Sequence, residues 1–292
     1  MPIRTEVAMG TLVTIHVVRG GGDVDDAISR AFGWFHAIEE RCTRFDERSE
    51  LVRLTAQAGT AVAVSAILYE AVQFAVMVAE ETGGVFDPTV GHRMQARGFD
   101  KNYRTGERIR SASGFHEDDV SYRDVLLDPE RRTITLRRPL TLDLGAVAKG
   151  LAVDTAAREL EMFTDFAIDA GGDLYLGGSN EQGAPWSVGV RHPRHEHELI
   201  TSLRVSNQAV CTSGDYERQH HILDPRTRAS ASTVASATVV APRAMLADAL
   251  ATAVFVLGPQ EGIRLLNRIG VEGLIVTPDL ECHETGGLRH AA

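Results

Sequence analysis

Cysteine is scarce in this sequence of 292 residues, which contains only Cys42, Cys211 and Cys282. An odd number of widely separated thiols argues against a disulfide framework and fits a reducing compartment. No run of about 18 apolar residues occurs, so no membrane-spanning helix is predicted. The first residues, Met-Pro-Ile-Arg-Thr-Glu, lack the apolar segment of a signal peptide. As it stands the chain is expected to be cytoplasmic, or exported if it is a mature form from which a leader was removed.

Positive charge is also too sparse for a nucleic-acid-binding surface. The sequence has 30 Lys and Arg against 40 Asp and Glu, which gives a net charge of −10 with the 11 His neutral. Generic binding to DNA or RNA requires a basic surface, so this class of function is disfavoured. A small phosphate-containing ligand remains compatible with an acidic chain, because a metal ion or backbone amides can supply the positive end.

The remaining composition, with 43% apolar and 24% charged residues, is typical of a globular protein. No internal repeat, low-complexity tract or Pro/Ser-rich linker is visible, and residues 1–292 are predicted to form one functional domain. Hydrophobic periodicity predicts helices at 23–41, 65–82, from about 146, at 244–257 and after Pro259. Strands are predicted at 11–18, 165–169, 173–176, 186–191, 199–206, 236–241 and 273–277, with two short strands in 133–144 and an irregular insert at 92–120. Strand runs and separate helices in this order indicate an α+β fold.

The segment from Asp143 to Gly150 is the first candidate for a ligand site. Small residues after Asp143 would let a ligand approach the backbone, and the amides that begin the next helix favour an anion. Lys149 would meet a phosphate. On spacing alone, an ordinary turn into a helix with Asp143 as its cap is slightly favoured, and the order of residues is not that of a Walker A loop.

The helix predicted at 244–257 carries Asp248 and Thr252 four residues apart, so their side chains project from the same face. A carboxylate and a hydroxyl are hard oxygen ligands suited to Mg²⁺ or Ca²⁺. A second interpretation, about equally favoured by the residues alone, is that Asp248 stabilises the positive end of the helix dipole.

Hydroxyls, a glycine and two histidines are concentrated between Cys211 and Thr227. His221 precedes an apolar pair and would be held rigidly, as a general base must be. A polar hairpin with a surface histidine explains the same residues. Catalysis by the Cys211 thiol is disfavoured, because no partner that lowers its pKa is evident.

Two further polar segments are weaker candidates. Asp169-Ala170-Gly171-Gly172-Asp173 is typical of a turn between strands. His195 and His197 alternate in a way that would suit a metal on a strand face, but the surrounding residues favour a solvated loop.

Taken together and in this order, these segments resemble the ApbE family of FAD:protein FMN transferases, and the resemblance covers nearly the whole chain. The segments that carry it are Met9–Thr11, Thr43–Asp46, Ser49–Leu51, Gly84–Gly91, Asp143–Gly150, Gly171–Asp173, Thr212–Tyr216, His221–Pro225 and Ala247–Thr252.

The resemblance implies an α+β, ApbE-like (T-fold-like) unit of two packed halves with FAD in the cleft between them. It implies Mg²⁺ bound by Asp248, Thr252 and the backbone oxygen of Ala146, and His221 as catalytic base. The implied FAD contacts are Met9, Phe45, Val85, Phe86, Asp87, Asp143, Lys149, His221 and Ile222.

The implied reaction transfers FMN from FAD to a Thr or Ser hydroxyl of an acceptor flavoprotein and releases AMP. Two alternatives stay open: an FAD pyrophosphatase, in which water attacks instead, and a protein that only binds FAD. The family's Asp-Pro-x-Thr-Gly-x-Pro segment departs here to Asp-Pro-Arg-Thr-Arg-Ala-Ser at 224–230, which indicates a differently shaped loop after His221.

Overall fold

The computed structural model describes residues 2–109, 119–216 and 222–291. The chain divides into two compact units. Unit 1 comprises Met1–His36, Lys149–Ile222 and Ser230–Ala292, and unit 2 comprises Ala37–Ala148 and Leu223–Ala229. Two helices cross these boundaries in sequence, α1 (Val24–Cys42) and α5 (Gly145–Leu160).

Unit 1 contains an eight-stranded antiparallel sheet. Its strands in spatial order are β1 (Ile3–Ala8), β2 (Thr11–Val17), β6 (Phe166–Ala170), β7 (Asp173–Gly177), β10 (Gln208–Gly214), β11 (Ser236–Ala241), β12 (Glu272–Val276) and β13 (Cys282–Glu284). Leu174 of β7 and Val210 of β10 are paired and point to the same face of the sheet. Because side chains alternate along a strand, the neighbouring Asp173 and Cys211 point to the other face. The register of these strands therefore decides which side chains can form a site.

Different elements pack against the two faces of this sheet. Helix α6 (Ala244–Leu257) packs against β7, β10 and β11, and α7 (Pro259–Ile269) packs against β12. On the opposite face, the hairpin of β8 (Trp186–Arg191) and β9 (Leu199–Val205) forms an apolar core with the sheet. Residues in this core include Val188, Leu203, Val210 and Val240. Helix α6 is nearly all apolar and mostly buried, and Asp248 is its single carboxylate.

Unit 2 is built from helices around a three-stranded sheet. The sheet has the order β3 (Ala61–Ala63), β5 (Thr133–Leu136) and β4 (Val125–Asp128). The helices within it are α2 (Glu50–Thr55), α3 (Ala66–Glu81) and α4 (Gly91–Ala96). Helices α2 and α3 each begin after a serine whose side chain accepts a backbone hydrogen bond, Ser49 from Val52 and Ser65 from Leu68.

Most predicted elements are confirmed, and the exceptions have local causes. Only one strand, β5, forms in 133–144, because Pro139 interrupts the segment and the following residues make an isolated bridge between Val90 and Thr141. The region 92–120 is not wholly irregular, since α4 occupies its first residues. Strand β10 runs through the segment from Cys211 to Gly214, for which no strand was predicted.

In the described part of the chain, no helix has both the length and the apolar character needed to cross a membrane. The mixed helices and antiparallel sheets confirm the α+β class. A single functional domain over 1–292 stays a prediction, because the division into two compact units does not test it.

Candidate functional site

One face of the unit 1 sheet carries a polar group beneath α6. Cys211 and Ser213 lie two residues apart on β10, so both point to this face. The Cys211 Sγ donates to the backbone oxygen of Ala244 at 3.6 Å, and the Ser213 and Thr252 hydroxyl oxygens are 3.4 Å apart. Hydroxyl groups from a strand and a helix therefore meet here.

Asp248 and Thr252 lie one turn apart on α6, as the spacing predicted. Asp248 is 7% exposed and follows the first turn, in which α6 has no acidic residue. The interpretation of Asp248 as a helix-dipole residue is therefore wrong, because the dipole effect is confined to the first turn. An acid that is buried in an apolar helix needs a compensating group.

The start of α6 is held by α5. The carboxylate of Asp154 accepts hydrogen bonds from the backbone nitrogens of Ala244 at 2.6 Å and Met245 at 3.1 Å, so it supplies the cap that Arg243 does not. Burial raises the pKa of Asp154 to about 6, although these two hydrogen bonds favour its charged form. Gly150 allows the close approach, since a Cβ there would lie 2.5 Å from the Met245 Cα.

Lys149 precedes Gly150 and forms an ion pair with Asp173, a residue that sequence reasoning placed only in a turn. Burial would lower the pKa of Lys149, but the carboxylates of Asp173 and Asp248 outweigh it and raise the pKa above the usual value. The ammonium that was predicted to meet a phosphate is thus also the countercharge of two acids within unit 1.

Cys211 lies beside the same acids and is fully buried. Burial and the nearby carboxylates of Asp173 and Asp248 raise its pKa well above the usual value. The thiol therefore stays protonated, in agreement with the expectation that it is not a nucleophile.

The oxygen-rich group in unit 1 suits a hard cation. No cluster of three or more His, Cys, Asp or Glu side chains of the kind that holds a metal occurs in the ranges that the structure describes. Mg²⁺ commonly uses one or two carboxylates and completes its shell with water and phosphate oxygens, so Asp248 with the Thr252 hydroxyl fits this ion.

Ala146 was expected to contribute its backbone oxygen to the metal. It belongs to unit 2 and has non-helical angles (φ −91°, ψ 17°) inside α5. Because ψ sets the direction of the carbonyl, that of Ala146 departs from the direction shared by the other helical carbonyls. Its role as a ligand stays a prediction.

In unit 2, both carboxylate oxygens of Asp143 accept hydrogen bonds. Its Oδ1 accepts from the backbone nitrogen of Gly145 at 2.8 Å, which matches the predicted capping turn, and its Oδ2 accepts from Arg44 Nε at 2.8 Å. Arg44 is 5% exposed, also donates to the Phe99 oxygen at 2.7 Å, and lies over the Phe45 ring at 4.2 Å. Arg44 thus connects two expected FAD contacts, Asp143 and Phe45. Its place inside the Thr43–Asp46 segment was the only signal in the sequence.

Asp87 is similarly engaged. Its Oδ1 accepts from the backbone nitrogen and hydroxyl of Thr89, and its Oδ2 accepts from the Tyr122 nitrogen. Burial raises its pKa, against the effect of these bonds. Asp87 lines a cavity of about 270 Å³ within unit 2 that Arg93 also lines. The neighbouring Val85 and Phe86 are buried.

The remaining expected contacts are distributed as follows. Met9 and Gly10 both have positive φ, 52° and 77°, and form the two-residue turn between β1 and β2. Ile222 is buried in unit 1. His221 lies outside the described residues, so its role as catalytic base stays a prediction.

The histidine-rich segment between β8 and β9 is an exposed turn. His192 Nδ1 accepts from the backbone nitrogens of Arg194 and His195, both at 3.1 Å, while His195 and His197 are exposed. The preference for a solvated loop over a metal site agrees with this arrangement.

Comparison with known sequences gives a consistent result. The model of the ApbE family matches residues 9–275. The FAD:protein FMN transferase of Treponema pallidum (strain Nichols) is 32% identical over 98% of this chain and 87% of its own length. That of Haemophilus influenzae is 28% identical over 79% of this chain and 72% of its own length. Both relatives are named as transferases, which confirms the expected class of enzyme.

Comparison with solved structures agrees. The crystal structure of the ApbE protein of Thermotoga maritima MSB8 superposes with a TM-score of 0.87 at 30% identity, covering 98% of this chain and 97% of the other. This likeness confirms the ApbE-like fold that the motifs implied. The sequence match over most of the chain and the shared fold show that this chain belongs to the ApbE family.

Proposed function

We propose that this chain is an Mg²⁺-dependent FAD:protein FMN transferase that moves FMN to a Thr or Ser hydroxyl of an acceptor flavoprotein. The observation that carries the proposal is the match of the family over residues 9–275, together with a carboxylate and a hydroxyl placed one turn apart on α6. The names of the relatives support the donor and the transferred group.

Asp248, Thr252 and the backbone oxygen of Ala146 would hold Mg²⁺. When bound, the ion supplies Lewis-acid stabilisation of the charge on the FAD pyrophosphate. Asp248 suits this task because its carboxyl group is buried, and Ser213 beside Thr252 would orient the Thr252 hydroxyl. Asp248 and Thr252 both lie on α6, which keeps the geometry of these two proposed ligands fixed before substrate binds.

The chain's other residues would bind and orient the flavin substrate. Met9, Lys149, His221 and Ile222 are the proposed contacts from unit 1, with Phe45, Val85, Phe86, Asp87 and Asp143 from unit 2. Because Arg44 and Thr89 already hold Asp143 and Asp87, these acids shape the backbone around the ligand more than they offer free charge.

His221 would accept the proton of the acceptor hydroxyl. The hydroxyl oxygen then forms a bond to the phosphorus on the FMN side of the pyrophosphate, and the bond from that phosphorus to the bridging oxygen breaks. AMP leaves with the electron pair, and the proton on His221 returns to solvent or to the leaving group.

Transfer is tested with purified chain, FAD, MgCl₂ and an FMN-accepting domain, with the same domain lacking its Thr acceptor as control. Intact-protein mass and AMP release are measured together. We expect the acceptor to gain the mass of FMN less one water, and FAD to release AMP in an equal amount. FMN and AMP released without acceptor labelling would instead indicate an FAD pyrophosphatase, and unchanged FAD would indicate a binding protein.

Two variants and one control assign the roles. His221→Ala is expected to lower the transfer rate by about 10²–10⁴, as loss of a general base does, and to weaken FAD binding far less than it lowers the rate. His195→Ala removes an exposed histidine and should transfer at the original rate. Asp248→Ala should abolish the Mg²⁺-dependent transfer, because it removes a proposed metal ligand. Unchanged transfer by His221→Ala would remove this residue from the mechanism.

A further inference from the structure

Strand β1 lies at one end of the eight-stranded sheet and is paired on one side. It pairs with β2 from Ile3, opposite His16, to Ala8, opposite Thr11. In the described part of the chain, no strand pairs with its outer edge. The strand at the other end of the sheet, β13, has three residues, whereas β1 has six and therefore offers a longer edge to a partner strand.

The hydrogen bonds between β1 and β2 determine which backbone groups of β1 face the outer edge. Val17 donates to the Pro2 oxygen at 3.1 Å, so these two residues form a hydrogen-bonded pair. Since such pairs alternate along an antiparallel ladder, Arg4 and Glu6 also bond to β2. The odd-numbered residues of β1 therefore direct their N–H and C=O groups to the outer edge.

The side chains of β1 divide into a charged face and an apolar face. Arg4 and Glu6 lie on the face next to α1 and form an ion pair with each other. On the opposite face Ile3, Val7 and the neighbouring Leu12 of β2 are 61%, 58% and 62% exposed. Apolar side chains that are exposed together in this way mark an interaction surface.

The order of the residues on β1 is complementary to itself. If a second copy of β1 runs antiparallel along the outer edge with Thr5 opposite Thr5, each Arg4 lies opposite a Glu6. Each Ile3 then lies opposite a Val7, and the outward backbone groups exchange about six hydrogen bonds. In this register every arginine has a glutamate across the interface in addition to the one on its own strand.

The neighbouring registers lack this match. Sliding the second copy by two residues places Arg4 opposite Arg4 in one direction and Glu6 opposite Glu6 in the other. Like charges directly opposite each other destabilise a strand pair. Sliding by one residue sets outward backbone groups opposite residues that bond to β2, so the ladder cannot form. The sequence of β1 thus favours a single two-fold register.

We propose that the outer edge of β1 pairs antiparallel with β1 of a second copy of this chain, with the two-fold axis between the two Thr5 residues. Such an interface is isologous and closes at two copies, whose sheets become one continuous sheet. The apolar side chains of Ile3 and Val7 of the two copies then pack against each other and leave water. This inference does not depend on the proposed function.

Sedimentation velocity over a range of micromolar concentrations tests this pairing. The original chain should approach twice the mass of one chain as its concentration rises. Arg4→Glu and Glu6→Arg each place like charges opposite each other, so the dissociation constant of the dimer should rise by about tenfold or more. Arg264→Glu, which reverses a charge in an exposed ion pair on α7, is the matched control and should associate as the original chain does.

Mixing the two variants tests the register. The Arg4→Glu copy presents two acids on this face of β1 and the Glu6→Arg copy presents two arginines, so an equimolar mixture should form a heterodimer. We expect its dissociation constant to be about tenfold or more below that of either variant alone. Damage to the fold of β1 would not be repaired by mixing.

Three results of these measurements would overturn the inference. They are an original chain that stays monomeric at all concentrations, single variants that associate like the original chain, and a mixture that associates no better than its components. The first result would leave the outer edge to a different partner, the second would place the dimer contact on another surface, and the third would exclude this register.

Hydrogen exchange of the original chain provides a measurement that needs no variant, in case a substitution prevents folding. The outward amides of Thr5 and Val7 should exchange more slowly as the concentration rises, because they become bonded in the dimer. The amides of Arg4 and Glu6 already bond to β2 and should be protected at every concentration. Exchange at Thr5 and Val7 that does not depend on concentration would overturn the inference.

Discussion

The two units bury charged groups in different ways. In unit 2 the acids are joined to their surroundings by hydrogen bonds: Asp143 to Arg44 and to the backbone of Gly145, and Asp87 to Thr89 and Tyr122. In unit 1 one ammonium, that of Lys149, is the countercharge of Asp173 and Asp248.

This difference separates acids that accept hydrogen bonds from several fixed donors from acids that are balanced by a neighbouring ammonium. A carboxylate with several fixed donors has little capacity for a further partner, whereas a carboxylate balanced mainly by a nearby charge can exchange that balance for a metal ion. Mutation of the unit 2 acids or their partners should therefore act mainly through stability, whereas mutation of the proposed ligand Asp248 should act mainly through metal binding.

The largest loss of stability is expected where a unit 2 ion pair is broken. Arg44→Met strands the Asp143 carboxylate and removes the contact with the Phe45 ring, so the free energy of unfolding should fall by about 4 kcal/mol. Chemical denaturation followed by circular dichroism measures this fall.

Arg48→Met is the matched control for Arg44→Met. Arg48 makes the same kind of ion pair, with Asp46, but its side chain is 90% exposed. We expect a much smaller loss than for Arg44→Met, because water screens an exposed ion pair. Similar losses of unfolding free energy in the two variants would show that the buried Arg44–Asp143 pair stabilises the fold no more than the exposed Arg48–Asp46 pair.

A smaller effect, on the order of 3 kcal/mol, concerns pH and Asp154 in unit 1. Its pKa is raised to about 6 in the folded chain, so between pH 4 and 6 the folded state binds more protons than the unfolded state. The contribution of Asp154 to stability is therefore largest near pH 4 and is lost as pH rises through 6. Asp154→Asn removes this dependence.

The measurement for Asp154 is the difference in free energy of unfolding between Asp154→Asn and the original chain across pH 4–8. We expect this difference to move in favour of the variant as pH rises. A difference that is constant with pH would mean that Asp154 keeps the same pKa in both states.

The smallest of the three effects tests the crossing of α5 and α6. Gly150→Ala places a Cβ against the Met245 backbone and should lower the free energy of unfolding by about 2 kcal/mol. Gly33→Ala in α1 meets nothing within 4 Å and should raise it by about 0.5–1 kcal/mol. Thermal unfolding of the two variants checks the opposite signs.

The elements of this fold were predictable where one physical signal dominates. The predicted helix at 244–257 matches α6, since an apolar run of that length between Arg243 and Gly258 suits a buried helix. The predicted helix at 65–82 has its Ser65 cap in place. Short strands such as β3 and β4 were missed, because three or four residues carry a weak periodic pattern.

The site was predictable only in part. The four-residue spacing of Asp248 and Thr252 determines their common face, and the structure confirms it. The pairing of Lys149 with Asp173 depends on a strand register and on a helix crossing, neither of which local sequence reveals. Arg44 was missed for the same reason, since its partner Asp143 is distant in sequence.

The interleaving of the two units in the chain has a consequence for synthesis. Strand β2 pairs with β6, where Thr14 meets Asp169, so the first hairpin leaves the ribosome without its neighbour. At roughly 5–20 residues per second, the intervening segment takes on the order of ten seconds to emerge. Unit 2 is likewise incomplete until Leu223–Ala229 has been made. Neither unit can finish folding during the first two thirds of translation, and a nascent chain with an open strand edge is then exposed to chaperones and to misassembly.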